Sequence, residues 1–318
     1  LQGLEPELFL KLVTNEMDNM TADGRDEPQT DFIYCHGAIT EVLKFGSCRL
    51  HSGHKVLFLI IPGNRVLWAS TTPSCRHFIV CLVYYYPVWA VSHAGHCVPP
   101  DSMDMIEDDH KLSFLRKHVP RETSLVLVGH SIGCYIILEM MKKDPELKVI
   151  KAALLFPTIE RMAKTPQGKV MTPVLCHLRY VAYLPVFLLS LLPEGLKTVL
   201  VKLVFAAIHS LDNTVIHPTV SLLSGDCAAN ALYMGGQEMQ IVLERDNETI
   251  KKNIEKLLFY YGATDHWCPV QYYHEIKRDF PSGHFRLCEN GFRHAFVLDA
   301  GREVASMAAK WICGDLRT

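Results

Sequence analysis

Short, nearly unbroken apolar runs recur along the chain, bounded by glycine, proline or polar residues and separated by stretches with apolar residues every three or four positions. The runs lie near residues 55–61, 87–92, 124–128, 150–156, 256–261 and 284–288. A continuous apolar run of this length suits a strand buried on both faces, and its alternation with helical periodicity predicts a mostly parallel sheet with helices on both faces, an α/β fold. Phe32–Cys35 and Ile39–Lys44 around His36-Gly37 predict an opening hairpin, and residues 302–312 a closing helix. At 318 residues, 49% of them hydrophobic, the chain is large enough for one domain over 29–318 with a sizeable core. Residues 1–28, acidic and polar from Asp18 to Asp26, are expected to form a loosely attached tail.

The third long run ends in Gly129-His130-Ser131-Ile132-Gly133, and the apolar stretch Cys134–Met141 follows it. Strand, sharp turn and helix around G-x-S-x-G form the pattern of a nucleophile elbow: the serine hydroxyl is raised above the sheet. Gly129 and Gly133 are needed because a Cβ there would meet the neighbouring strand and helix. A serine needs a base, and the base needs an orienting acid. Asp265 lies just beyond the run 256–261, and His294 lies in the loop after the short strand 284–288. The order Ser131, Asp265, His294 is that of the α/β-hydrolase fold. His96 is the alternative base among 16 histidines, His93 also follows a strand, and Asp265 has the alternative role of capping a helix near Val270. The backbone N–H groups of Ile132 and of Asn64, in the loop after the run 55–61, are the expected oxyanion donors. This chemistry requires no metal or organic cofactor, and no dinucleotide fingerprint competes for the sheet edge.

Between the elbow half and the Asp265–His294 half, an insertion over about 158–245 carries the apolar run Leu175–Pro193. Its uncharged part, Tyr180–Pro193, is too short to span a bilayer, and Pro185 is expected to break or kink it. A second helix over 196–209 would set Leu200, Leu203, Val204 and Ile208 on one side, with Lys197 and Lys202 able to snorkel. These helices read as a lid that dips into a lipid surface through Val186, Leu188, Leu189 and Leu192, the other reading being a lid that packs over the site. A net charge of -2 with no dense basic run disfavours nucleic acid as a partner. Eleven cysteines without C-x-x-C or zinc spacing favour a reducing, cytosol-facing location.

Several segments together resemble the lipid droplet-associated hydrolases: Leu59–Asn64, Pro87–His96, His110–Leu115, Gly129–Gly133, Leu155–Met162 and Tyr260–Pro269. The resemblance extends from about residue 30 onward. It implies a serine lipid hydrolase with Ser131, Asp265 and His294 as its triad. It also implies a lipid substrate, cholesteryl ester or another neutral lipid, and peripheral attachment to the droplet monolayer and the endoplasmic reticulum surface. The alternative is a weakly active or inactive relative that binds droplets and regulates their size. The chain departs from the family after Asn64, where Arg65–His77 lacks the family's Pro-Gly and helical spacing. A shifted reading frame over 65–84 would restore both. The connection Cys97–Asp109 is also shorter than the family's.

Overall fold

A computed structural model describes residues 29–35, 38–45, 56–64, 86–93, 108–207, 216, 220, 223–296 and 300–315. The tail 1–28, the stretch 65–84 and His96 lie outside these residues. The opening hairpin is present as β1 (Gln29–Cys35) and β2 (Ala38–Phe45), paired antiparallel from Gln29↔Lys44 to Cys35↔Ala38. Strands β3 (Val56–Ile61), β4 (Val88–Val91), β5 (Ser124–His130), β6 (Val149–Leu155), β7 (Leu257–Gly262) and β8 (His284–Cys288) follow. All eight join one sheet in the order β1-β2-β4-β3-β5-β6-β7-β8. The pairs from β4 through β8 are parallel, and β2 joins β4 antiparallel.

Burial explains the apolar runs. Every residue of β4 and β7, and all but the first of β3 and β5, is buried, as happens when both faces of a strand are covered. Edge strand β1 alternates instead, and Phe32 and Tyr34 face solvent on it. Helices α1 (Asp108–His118) and α2 (Ile132–Lys143) lie between strands in sequence, and α2 buries Ile136, Ile137 and Met140. One continuous core runs from Val42 through the parallel strands to Ile312 of the last helix.

Between β6 and β7 the chain forms a helical insertion: α3 (Pro166–Thr172), a π-helical turn (Pro173–His177), α4 (Arg179–Ser190), α5 (Glu194–Ala207), α6 (Gly225–Ile241) and α7 (Asn247–Asn253). Its two ends meet at a neck, where the Arg161 N–H donates to the Leu243 carbonyl and the Met162 N–H to that of Val242. Buried Glu160 pairs there with Arg161 at 2.6 Å and with Arg245 at 3.3 Å, and Arg161 and Arg245 reach Glu275 and Asp279. Beyond the neck, Met162, Leu175, Leu232, Met234, Met239 and Val242 pack into a second apolar cluster around Ile132, the residue after the serine. Helices α8 (Val270–Asp279) and α9 (Gly301–Asp315) complete the described chain.

The expectation that Pro185 interrupts the first insertion helix is corrected: α4 runs through it. Pro185 lacks the N–H that would bond the Val181 carbonyl. Both residues lie on the exposed face, where water satisfies the freed carbonyl. The break comes earlier, at Leu178, where φ −110° and ψ 17° leave the helical region. The segments on either side of it are bent by 83°, and no single helix among the described residues is long and apolar enough to cross a membrane.

Candidate active site

Strand β5 runs two residues past its apolar stretch, through Gly129 and His130, so Ser131 is the first residue off the strand and caps α2. Its backbone sits at φ 54° and ψ −123°, a region costly for a residue with a Cβ. Neighbouring chain over-determines that conformation. The Ser131 N–H donates to the Leu155 carbonyl at 3.1 Å, and its own carbonyl accepts from Cys134 at 3.0 Å and Thr158 at 3.4 Å. The flanking glycines are required by close approach: a Cβ on Gly133 would run into the Ile61 carbonyl, and one on Gly129 would lie 2.7 Å from Ile137 Cδ1.

The structure brings Ser131, His294 and Asp265 together from three segments of the chain. His294 Nε2 lies 2.8 Å from Ser131 Oγ, and His294 Nδ1 lies 2.7 Å from Asp265 Oδ2. Asp265 follows the end of β7 and is buried. It does not cap α8, whose N-cap is Pro269 without a side-chain bond. Its Oδ1 instead accepts from the Trp267 N–H at 2.7 Å and the Cys268 N–H at 3.2 Å, and the Cys268 thiol donates to Oδ2 at 2.8 Å. Burial alone would raise the Asp265 carboxyl above the usual range. The opposing charge and hydrogen bond of His294, with the Cys268 and Trp267 donors, outweigh burial and hold it below that range. The acid therefore stays ionised beside the imidazole.

Several residues around this group carried no signal of their own in the sequence. His130, the variable position of the elbow motif, is buried and donates from Nε2 to the His294 carbonyl at 2.9 Å, fixing the loop that carries the base. Burial, helped by the nearby His294, pushes the His130 imidazole down to about 3, so it stays neutral. Phe156, itself at φ 48°, sets its ring edge-on to both histidines. Thr158 Oγ1 lies 3.5 Å from the serine oxygen. Oδ2 of Asp265, Sγ of Cys268 and Nδ1 of His294 all lie within 4.8 Å of one another, the spacing of a possible metal site. They already bond one another, and an ion there would break the link between acid and base.

The loop after β3 lies against the elbow: a Cβ on Gly63 would be 3.0 Å from Ser131 Cβ. His93, buried beyond β4, donates from Nε2 to the Pro62 carbonyl at 2.9 Å and pins this loop. Asn64 follows, its side-chain amide donating to the Ala231 carbonyl of α6 at 3.1 Å. Among the described residues no backbone carbonyl takes the N–H of Ile132 or of Asn64, so both donors remain open to a substrate oxygen.

The four expected lipid-contact residues divide. Leu188 is exposed, whereas Val186, Leu189 and Leu192 are half-buried. The reason is packing: α4 turns Tyr183, Phe187 and Ser190 toward Gly225 at the start of α6 and carries its flank inward with them. The exposed stripe is Tyr180, Val181, Leu184, Leu188 and Leu191, with Val181 at 69% and Leu191 at 66% exposure. On α5 the exposed residues are Leu196, Val199, Leu203 and Val204 rather than a stripe through Leu200, which is half-buried; Ile208 lies outside the described residues.

Comparison with known proteins agrees with this architecture. Structural neighbours include a membrane phospholipase A, 15% identical with a TM-score of 0.62 and covering 98% of this chain and 94% of its own. Another is the carboxylesterase CesB of Bacillus subtilis, 14% identical with a TM-score of 0.58 and covering 96% and 98%. At such identities the likeness shows the fold, an α/β-hydrolase. Sequence relatives are nearer. A lipid droplet-associated hydrolase from Gallus gallus is 52% identical, covering 90% of this chain and 95% of its own, and one from Homo sapiens is 43% identical with the same coverage. Since residues 54–297 also match the family described as Lipid-droplet associated hydrolase, the chain belongs to that family.

Proposed function

We propose that this chain is a serine hydrolase cleaving carboxylic esters of lipophilic substrates, cholesteryl esters and other neutral lipids, at the surface of lipid droplets and the cytosolic face of the endoplasmic reticulum. Such an activity would serve droplet and cholesterol homeostasis. The observation that carries the reading is the unbroken hydrogen-bond chain from Ser131 Oγ through both nitrogens of His294 to Asp265 at a strained elbow. In this mechanism Ser131 Oγ attacks the ester carbonyl while His294 Nε2 takes its proton. The N–H groups of Ile132 and Asn64 receive the oxyanion, and Asp265 holds the imidazole's tautomer and stabilises its charged form. His294 then gives the proton to the departing alcohol, and water repeats the cycle to free the acid.

The apolar stripes on α4 and α5 support an interfacial site of action, since such large side chains otherwise have no partner in the described chain. The test is covalent labelling of the full chain with a fluorophosphonate. Reaction with the wild type but not with Ser131→Ala supports the enzyme. An unreactive wild type sinks it in favour of a droplet-binding protein on a hydrolase scaffold.

A further inference from the structure

Helix α6 buries one carboxyl, that of Glu238, which is 2% exposed. Its Oε1 has no hydrogen-bond partner within the chain's ordinary protonation pattern, and neither has the buried Oδ1 of Asn64. The two side chains are hydrogen-bonding neighbours. Two unsatisfied oxygens facing each other are untenable, because each buried orphan costs on the order of 1–3 kcal/mol. The orientation of Asn64 is not free to change, since its amide nitrogen is committed to the Ala231 carbonyl one and three-quarter turns earlier on the same helix. Oδ1 therefore points away from that carbonyl and requires a donor. A glutamate carries one only when protonated.

We propose that Glu238 is a positioning residue for the oxyanion loop, acting as a neutral carboxylic acid that donates a hydrogen bond to the Asn64 side chain. Asn64 is then gripped by α6 at both ends of its amide, and the loop residue whose N–H faces the reaction is fixed to the helical insertion. The surroundings suit an uncharged acid. The cluster here is built from Leu175, Leu232, Met234 and Met239, with Tyr135, Cys176 and Tyr183 as the titratable side chains at its rim. Burial is what pushes the Glu238 carboxyl up to about 8, against a smaller lowering by Asn64. Ionisation above that pH would set a negative charge against Oδ1 and loosen the loop.

The effect on rate rests on the hydrolase reading above; the effect on stability does not. Between the ordinary glutamate range and about pH 8 the folded chain holds one proton more than the unfolded chain. Wild-type stability should therefore fall as pH rises through that window and level off above it. The experiment compares full-length wild type, Glu238→Gln and Glu238→Ala across pH 5 to 10 by thermal midpoint and by rate of fluorophosphonate labelling. Glutamine is neutral, similar in size and able to donate to Oδ1. Its midpoint should gain on the wild type progressively from about pH 5 to about pH 8 and hold that gain above. Its labelling rate should match the wild type at pH 7 and lack the roughly tenfold-per-unit alkaline fall that the wild type shows above about pH 8. Glu238→Ala should label slowly at every pH. A constant midpoint difference, an alkaline fall retained in Glu238→Gln, or failure of Glu238→Gln to fold at pH 7 overturns the proposal. A wild type that never labels removes the hydrolase reading while the midpoints still decide the Glu238–Asn64 bond.

Discussion

The triad works as one unit at the scale of single residues, because the hydrogen bonds of Ser131, His294 and Asp265 are in series. Turnover on an emulsified ester should be abolished by Ser131→Ala or His294→Ala, with the double variant little worse than either; additive losses would argue that the two act separately. Asp265→Asn should fold, since both backbone donors can still reach its Oδ1, yet lower kcat by about 10⁴-fold through the wrong imidazole tautomer. Full activity in that variant would place the acid elsewhere. These three residues were legible in the sequence because each sits just past a strand end, where chain order and strand position alone fix the layout. His130, Thr158 and Cys268 were not. Their partners are set by how loops fold back, as with the His130 bond across 164 positions to His294, and no periodicity encodes that.

At the scale of elements, apolar runs predicted the strands well because burial on both faces leaves no polar position to blur the pattern. The insertion was harder to read. Its helices are apolar on the side that packs against α6 and on the side that faces outward, so hydrophobicity alone could not separate Val186 and Leu189 from Val181 and Leu184. Pro185 misled for a related reason, since a helix tolerates proline where the freed carbonyl faces solvent. Elbow and neighbouring strand are locked by contact at Gly133, where an added methyl would press on the carbonyls of Ile61 and Pro62. Gly133→Ala should therefore destabilise the chain by roughly 1–3 kcal/mol. The same substitution should slow labelling of Ser131, and a denaturation midpoint and labelling rate both equal to wild type would show that the elbow has room to spare.

For the whole molecule, the catalytic group and the apolar stripes lie on opposite sides of one helix, since α6 packs against α4 and also over Ile132. Replacing Val181, Leu184, Leu188 and Leu191 with asparagine should release the protein from floating droplets while leaving Ser131 labelling in solution intact. Each such side chain is worth roughly 1.5–3 kcal/mol when fully buried, so four together suffice for reversible attachment. Continued flotation of that variant would move the contact to another surface. The two histidines at the centre, with ring centroids 5.3 Å apart, give the molecule a further property. Two imidazoles so close would ordinarily titrate as a coupled pair and blur any acid limb into two overlapping steps. His130 has left that exchange, being neutral down to about pH 3. The acid side of the rate profile should thus follow a single protonation with unit slope, a one-proton signature belonging to the base alone.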